Sequence, residues 1–171
     1  IILPDDEVST VEKLLNEYLY LANSNLYNGI AWRMFETKKN LPSALQYGEK
    51  GIEIARKDVK NPTGIKPVYI DAEKWKDSKK IALGLILDTY GNIQNELGKT
   101  EAALKSFEEA ATLTNGDYPE LNESYVLLLY NLKQFEKAKN KSEEFISKGK
   151  STNKIQEIFN NSFIKLGGSK D

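Results

Sequence analysis

The sequence predicts an all-helical (all-α) protein built from repeated pairs of antiparallel helices. Three observations favour this fold class: apolar residues recur at helical spacing, no segment keeps the alternating pattern of a strand, and similar segments recur every 34 to 35 residues. Helix pairs that recur with this period stack into a solenoid. We therefore expect about seven to nine helices and no sheet in one domain of 171 residues.

The first helix is predicted within residues 1–24. Asp5 and Asp6 stand where an N-cap acceptor and a favourable negative charge belong. The polar stretch 23–25 ends this helix. Seven apolar residues between these limits follow the spacing of three and four that places them on one helix face: Val8, Val11, Leu14, Leu15, Tyr18, Leu19 and Ala22.

The remaining helices are predicted from the same spacing and from the positions of Pro and Gly. Pro42 suits the first turn of a helix. Residues 59–77 contain Pro62, Gly64 and Pro67, so we expect no helix through this stretch. The predicted helices cover 26–37, 42–58, 78–97, 100–113, 118–132, 134–148 and 151–166.

An internal repeat appears when the later segments are aligned. A shift of 35 residues places 97–103 on 132–138 and matches a Leu, a Glu and an Ala in each. The same shift maps the acidic pair at 108–109 onto another at 143–144. Two predicted helices fall within each period, which indicates a helical solenoid.

Nine residues in the middle of the chain resemble one tetratricopeptide repeat: Leu87, Tyr90, Gly91, Gln94, Leu97, Gly98, Ala103, Phe107 and Ala110. Small residues of this pattern stand where two helices cross closely, and large ones fill the gaps beside them. The resemblance implies a right-handed superhelix whose concave groove binds a protein or peptide. An earlier segment carries the pattern in Tyr27, Ile30, Ala31, Met34, Ala44, Gly48 and Gly51, and a later one in Tyr125, Leu129, Leu132 and Ala138.

This register divides the domain into successive units. Ala44 and Ala103 lie one period and about two dozen residues apart, so we expect an insertion between the first two repeats. Tyr69 and Trp75 in that insertion either carry function or cover the neighbouring core. The predicted units are an N-terminal helix at 1–24, repeats at 25–58, 81–115 and 116–150, the insertion at 59–80, and a capping helix or half repeat at 151–171.

By the resemblance, the first helix of each pair lines the groove. The expected binding residues are Asn25, Asn28, Trp32, Asp88, Asn92, Asn95, Glu123, Leu127 and Tyr130. Their amides can grip a peptide backbone, and Trp32 can serve as a flat anchor. The alternative is that Trp32 packs against Leu15 and Tyr18 of the first helix. Family members that bind chaperone C-termini use Lys residues that are missing here, so an acidic, amide-lined groove favours a basic or neutral ligand.

Composition argues against an enzyme. The chain contains no Cys and no His, which removes thiolate nucleophiles and the commonest general base and metal ligand. Phosphate-binding glycine loops and nucleophile elbows are absent from the sequence, and the acidic pair of Asp71 and Glu73 is expected by chance. We expect no cofactor and no metal. With 24 basic against 25 acidic residues and no apolar run of about 18, we also expect no nucleic acid partner and no membrane insertion.

Two functions remain open from the sequence. The first is a scaffold whose groove holds a protein or peptide partner. The second is a structural helical module of a larger multidomain protein, for example beside a thioredoxin-like or transport-associated domain. Because the sequence starts at Ile1 and ends at Asp171 after two glycines, we expect a piece of a longer protein. The compartment stays open: cytoplasmic or, if an export signal was removed, periplasmic or cell envelope.

Overall fold

The computed structural model describes residues 23–169, and these residues are all-helical with no strand. The predicted helix at residues 8–22 lies outside the described residues, and the handedness of the superhelix stays a prediction. The other predicted helices are all present, with six of the seven matching to within two residues at each end. They are α1 Ser24–Glu36, α2 Leu41–Lys60, α3 Ala72–Glu96, α4 Thr100–Leu113, α5 Pro119–Asn131, α6 Phe135–Ser147 and α7 Asn153–Lys165.

Side-chain caps explain several of the helix starts. Asn23 accepts from the Leu26 backbone N–H at 3.0 Å, and Thr152 accepts from Ile155 at 3.2 Å. The carboxylate of Asp71 accepts from the Lys74 backbone N–H at 2.8 Å. Each bond satisfies one backbone donor that the first helical turn leaves unpaired.

The helices form two layers. The odd-numbered helices contact one another in the order α1, α3, α5, α7, and each even-numbered helix lies against the odd-numbered helices that precede and follow it. Most consecutive helices are joined by only three to five residues, so packed neighbours run antiparallel. This arrangement leaves one face of the odd-numbered helices free of the even-numbered layer.

Small residues allow the two layers to approach closely. Ala103 and Ala110 in α4 have no exposed surface, and Ala44 in α2 has none. Gly91 in α3 lies against the buried ring of Phe107. The prediction of a close helix crossing is therefore confirmed at Gly91, because a side chain there would collide with the Phe107 ring of the facing helix.

The prediction that no helix runs through residues 59–77 is wrong at both ends. Helix α2 continues to Lys60, and α3 begins at Ala72, so the break is confined to 61–71. The two prolines interrupt the helix only locally. The Asp71 cap restarts it six residues earlier than the predicted Ser78.

The apolar spacing of the last helix predicts that Ile155, Phe159 and Phe163 pack on the third repeat, and the structure agrees only in part. Ile155 is buried as predicted, but Ile158 fills the next core position and Phe159 is half-buried. Phe163, which was expected to pack on the preceding pair, is 42% exposed. The Phe163 ring lies against Gly168 in the turn after the helix, where the Gly168 N–H donates to the Phe163 carbonyl at 3.0 Å.

Candidate peptide-binding groove

The nine predicted groove residues lie on three odd-numbered helices, and each of them is half-buried or exposed. The buried positions of α1, α3 and α5 lie on the side that meets the other helices, whereas the nine residues occupy the remaining side. We call this strip the groove face. It consists of Asn25, Asn28 and Trp32 on α1, of Asp88, Asn92 and Asn95 on α3, and of Glu123, Leu127 and Tyr130 on α5.

Asp88 and Asn92 are in direct contact at the centre of the groove face. The Asn92 amide donates to the Asp88 carbonyl oxygen at 2.9 Å and to its carboxylate at 3.3 Å. Burial raises the pKa of Asp88 to about 6, and the bond from Asn92 opposes this rise. A partly desolvated carboxylate with so few donors is an acceptor for a cationic or N–H group supplied from outside.

Asn28 offers a second unfilled acceptor. Its side chain is half-buried, and its Oδ1 atom is buried without a hydrogen-bond partner in the described part of the chain. A buried amide oxygen left unpaired is unfavourable unless a donor reaches it. Asn28 and Asp88 occupy the same register position on α1 and α3, which pack against each other.

Trp32 belongs to an aromatic corner at the end of α1. Its side chain is 39% exposed, and its ring centroid lies 5.4 Å from that of Phe35. The Lys38 ammonium sits 4.6 Å from the Phe35 centroid and pairs with Glu96 at 2.7 Å. This chain of contacts ties the end of α1 to the end of α3 beside the groove face.

The groove residues of α5 are more strongly engaged within the fold. Glu123 accepts from the Thr152 hydroxyl at 2.5 Å, so its carboxylate supports the N-cap of α7. The Tyr130 ring lies edge-on to Phe135, with centroids 5.3 Å apart. Leu127 is half-buried, whereas Asn25 on α1 and Asn95 on α3 are exposed. The readily available ligand contacts therefore concentrate on α1 and α3.

Two adjoining clefts lie on the even-numbered side, between α4 and α6, at positions where no sequence motif predicts a site. Tyr125 lines both of them, together with Glu108 and Lys141. Burial raises the pKa of Tyr125 to about 12, with a further contribution from the negative charges of Glu108 and Glu144. Glu144 is itself paired with Lys141 and Lys148, at 2.9 and 2.8 Å.

The described residues contain neither a metal-binding cluster nor a membrane-spanning helix. Among residues 23–169, no cluster of three or more acidic side chains could hold a metal ion. Asp71 of the acidic pair noted in the sequence serves as the helix cap of α3. In the same part of the chain, no helix is both long and apolar enough to cross a bilayer.

Comparison with known proteins gave no further assignment. No family model, curated protein or solved structure shows significant similarity to the chain.

Proposed function

We propose that this chain is a protein-binding scaffold of the tetratricopeptide type, without enzymatic activity, that holds an extended peptide segment on its groove face. The peptide would be neutral or basic, because Asp88 and the surrounding amides offer acceptors and negative charge. Trp32 provides an exposed flat surface for an apolar side chain of the peptide.

The unpaired Oδ1 of Asn28 is the observation that carries this proposal. It lies on the groove face in the same register as Asp88, one helix away. Because this oxygen is enclosed, the Asn28 amide would turn outward to accept from a peptide backbone N–H, while a basic side chain approaches the Asp88 carboxylate. Each interaction supplies a hydrogen-bond donor to an acceptor that is partly buried and short of donors. A ligand is therefore favoured at this place over other exposed helix faces.

Selection from a random peptide library tests the proposal. We expect the selected sequences to be enriched in Lys or Arg beside an apolar residue. Trp32→Ala should weaken the best peptide about thirtyfold, as is typical when an aromatic anchor is truncated. Lys105→Ala on the exposed surface of α4 is the matched control and should leave affinity unchanged.

The melting temperature separates this function from a structural one. If Trp32 is an anchor, Trp32→Ala should leave the melting temperature nearly unchanged. A large loss of stability without a specific binding defect would assign Trp32 to the core. If the selected peptides bound the Trp32→Ala and Asn28→Ala variants with the same affinity as the parent, the groove face would be excluded as the binding site.

A structural role beside another domain is the second candidate. Phe163 and Leu166 support it, since they are 42% and 50% exposed at the end of the helix stack. Neighbouring exposed apolar side chains of this kind are typical of a surface that packs on something else. In that case, Leu166→Asp should abolish association with the neighbouring domain, whereas Trp32→Ala should have no effect on it.

A further inference from the structure

The loop between α2 and α3, residues 61–71, projects three apolar side chains into solvent. Ile65 is 94% exposed, Val68 99% and Tyr69 86%. The sequence alternative that Val68, Tyr69, Ile70 and Trp75 cover the neighbouring core is therefore wrong for Val68 and Tyr69, whereas Ile70 and Trp75 are half-buried. Single exposed apolar residues are ordinary, but three within five residues at almost full exposure form a concentrated apolar tip.

Backbone structure holds this apolar tip in place. The Ile70 N–H donates to the Pro67 carbonyl at 3.1 Å, which makes Val68 and Tyr69 the two central residues of a tight turn. The Lys66 ammonium donates to the Ile70 carbonyl at 2.5 Å and so braces the same turn. Because the turn is already formed, presenting its side chains to a partner requires little further ordering.

The surroundings of the tip are locally basic, although the whole chain is nearly neutral. Residues 57–80 contain seven lysines and four acids. Lys60 and Lys76 are exposed, and no carboxylate pairs with either within residues 23–169, while Glu73 offsets one of these charges. Four other lysines form ion pairs, Lys57 with Glu53, Lys74 with Asp71, Lys79 with Asp58 and Lys80 with Asp77.

We propose that this loop docks on the surface of a lipid bilayer that contains anionic headgroups. Ile65, Val68 and Tyr69 would enter the boundary between headgroups and acyl chains. Tyrosine suits this interface because its ring is apolar and its hydroxyl is wet. Lys60 and Lys76 would face the anionic headgroups.

The shape of the tip favours a bilayer over a protein partner. Residues that are 86 to 99% exposed stand clear of the rest of the fold, so a protein partner would need a deep pocket of matching shape to bury them. A fluid bilayer closes around any protruding apolar group. This mode needs no spanning segment, and it is independent of the groove face.

Vesicle sedimentation tests the apolar part of the proposal. We expect the parent protein to bind vesicles of phosphatidylcholine with roughly 30% phosphatidylserine. Val68→Ser combined with Tyr69→Ser should lower the partition coefficient by more than about tenfold, since each buried apolar side chain contributes at least that order. Circular dichroism and melting should be unchanged, because both side chains are exposed.

A second pair of variants tests the electrostatic part. Lys60→Gln with Lys76→Gln should weaken binding to the anionic vesicles by about tenfold and leave binding to pure phosphatidylcholine unchanged. Lys105→Gln with Lys137→Gln removes the same charge from exposed positions on α4 and α6 and should have a much smaller effect. Trp32→Ala should bind vesicles like the parent, which separates this surface from the groove face.

Three outcomes would overturn the proposal. The first is a parent protein that does not sediment with anionic vesicles. The second is a serine double variant that is folded and binds as strongly as the parent. The third is a parent protein that does not bind vesicles but needs the loop to bind a protein partner. That result would assign the loop to protein docking instead.

Discussion

The ring of Phe107 lies so close to the backbone of Gly91 that position 91 has no room for a side chain. A Cβ atom added there would stand 2.8 Å from Cε1 of the ring and 3.0 Å from Cδ1. The ring itself is buried, so it cannot move aside without disturbing the core between α3 and α4. The crossing of these two helices therefore depends on a glycine.

Gly91→Ala should destabilise the protein. Overpacking of a buried site costs about 1–3 kcal/mol, which exceeds the gain of up to about 1 kcal/mol that alanine gives in a helix. Urea unfolding measures the difference. Gly29→Ala in α1 is the matched control: beyond its own helix backbone, no atom of residues 23–169 lies within 4 Å of an added Cβ, so this variant should be stabilised. Equal effects of the two substitutions would contradict the close crossing.

Asn122 should be difficult to replace, because it connects two turns from inside the core. It is fully buried, and its amide donates to the Gly116 carbonyl at 2.8 Å and to the Lys150 carbonyl at 3.0 Å. Asn122→Asp keeps the shape but loses both donors, and should cost about 3 kcal/mol or more of unfolding free energy. Thermal unfolding measures this loss, and Asn160→Ala on the exposed face of α7 should change stability by no more than about 0.5 kcal/mol.

Asp88 should make stability fall as pH rises from about 4 to about 6. Its pKa is about 6 in the folded state and near the ordinary value of 3.8 in the unfolded chain, so the folded state holds the proton more tightly. The contribution is favourable below about pH 4 and is lost as pH rises through the folded pKa. At about 1.4 kcal/mol per pKa unit, the upper limit of the effect is about 3 kcal/mol.

Asp88→Asn isolates this effect, because it removes the titrating group and keeps its shape. We expect the variant to be more stable than the parent at pH 7.5, with the difference shrinking towards pH 4. Glu49→Gln, at an exposed site on α2, is the control. If the stability difference between Asp88→Asn and the parent did not vary with pH, Asp88 would not be the group whose titration changes stability in this pH range.

The ion pair between Arg56 and Glu109 should contribute little by itself. It joins α2 to α4 with two bonds of 2.6 and 2.7 Å, but both side chains are more than a third exposed. A double-mutant cycle with Arg56→Gln and Glu109→Gln should give a coupling below about 1 kcal/mol that declines with added salt. A larger coupling that did not change with salt would mean that this pair helps to set the distance between α2 and α4.

Local sequence patterns predicted the helices well because their causes are local. Apolar spacing and a few turn residues are sufficient to place α4 at its observed limits. The predicted start of α3 was wrong at Ala72, because Pro62 and Pro67 interrupt the helix only locally and the Asp71 cap restarts it. Local patterns also failed at Val68, since an apolar residue is expected to be buried unless something outside the chain is its partner.

The groove face could likewise be predicted only in part from the sequence. The repeat resemblance assigned Asn28, Trp32 and Asp88 to the groove, and each of them keeps exposed surface. The engagement of Glu123 with Thr152 and the bridge from Lys38 to Glu96 could not be predicted, because each joins residues far apart in sequence. The raised pKa of Asp88 likewise depends on how closely neighbouring helices surround it.

The serial order of helix contacts has a consequence for folding kinetics. Among the described residues, every helix contacts only the next helix or the next but one along the chain. Such a chain has low contact order, which corresponds to folding in microseconds to milliseconds. The free energy of unfolding is then approximately a sum of contributions from each helix pair and from the contacts between neighbouring pairs. Folding can therefore nucleate at several places and spread in both directions. Amide hydrogens of α7 should exchange before those of α3 and α4, because unravelling starts where a helix has neighbours on one side alone.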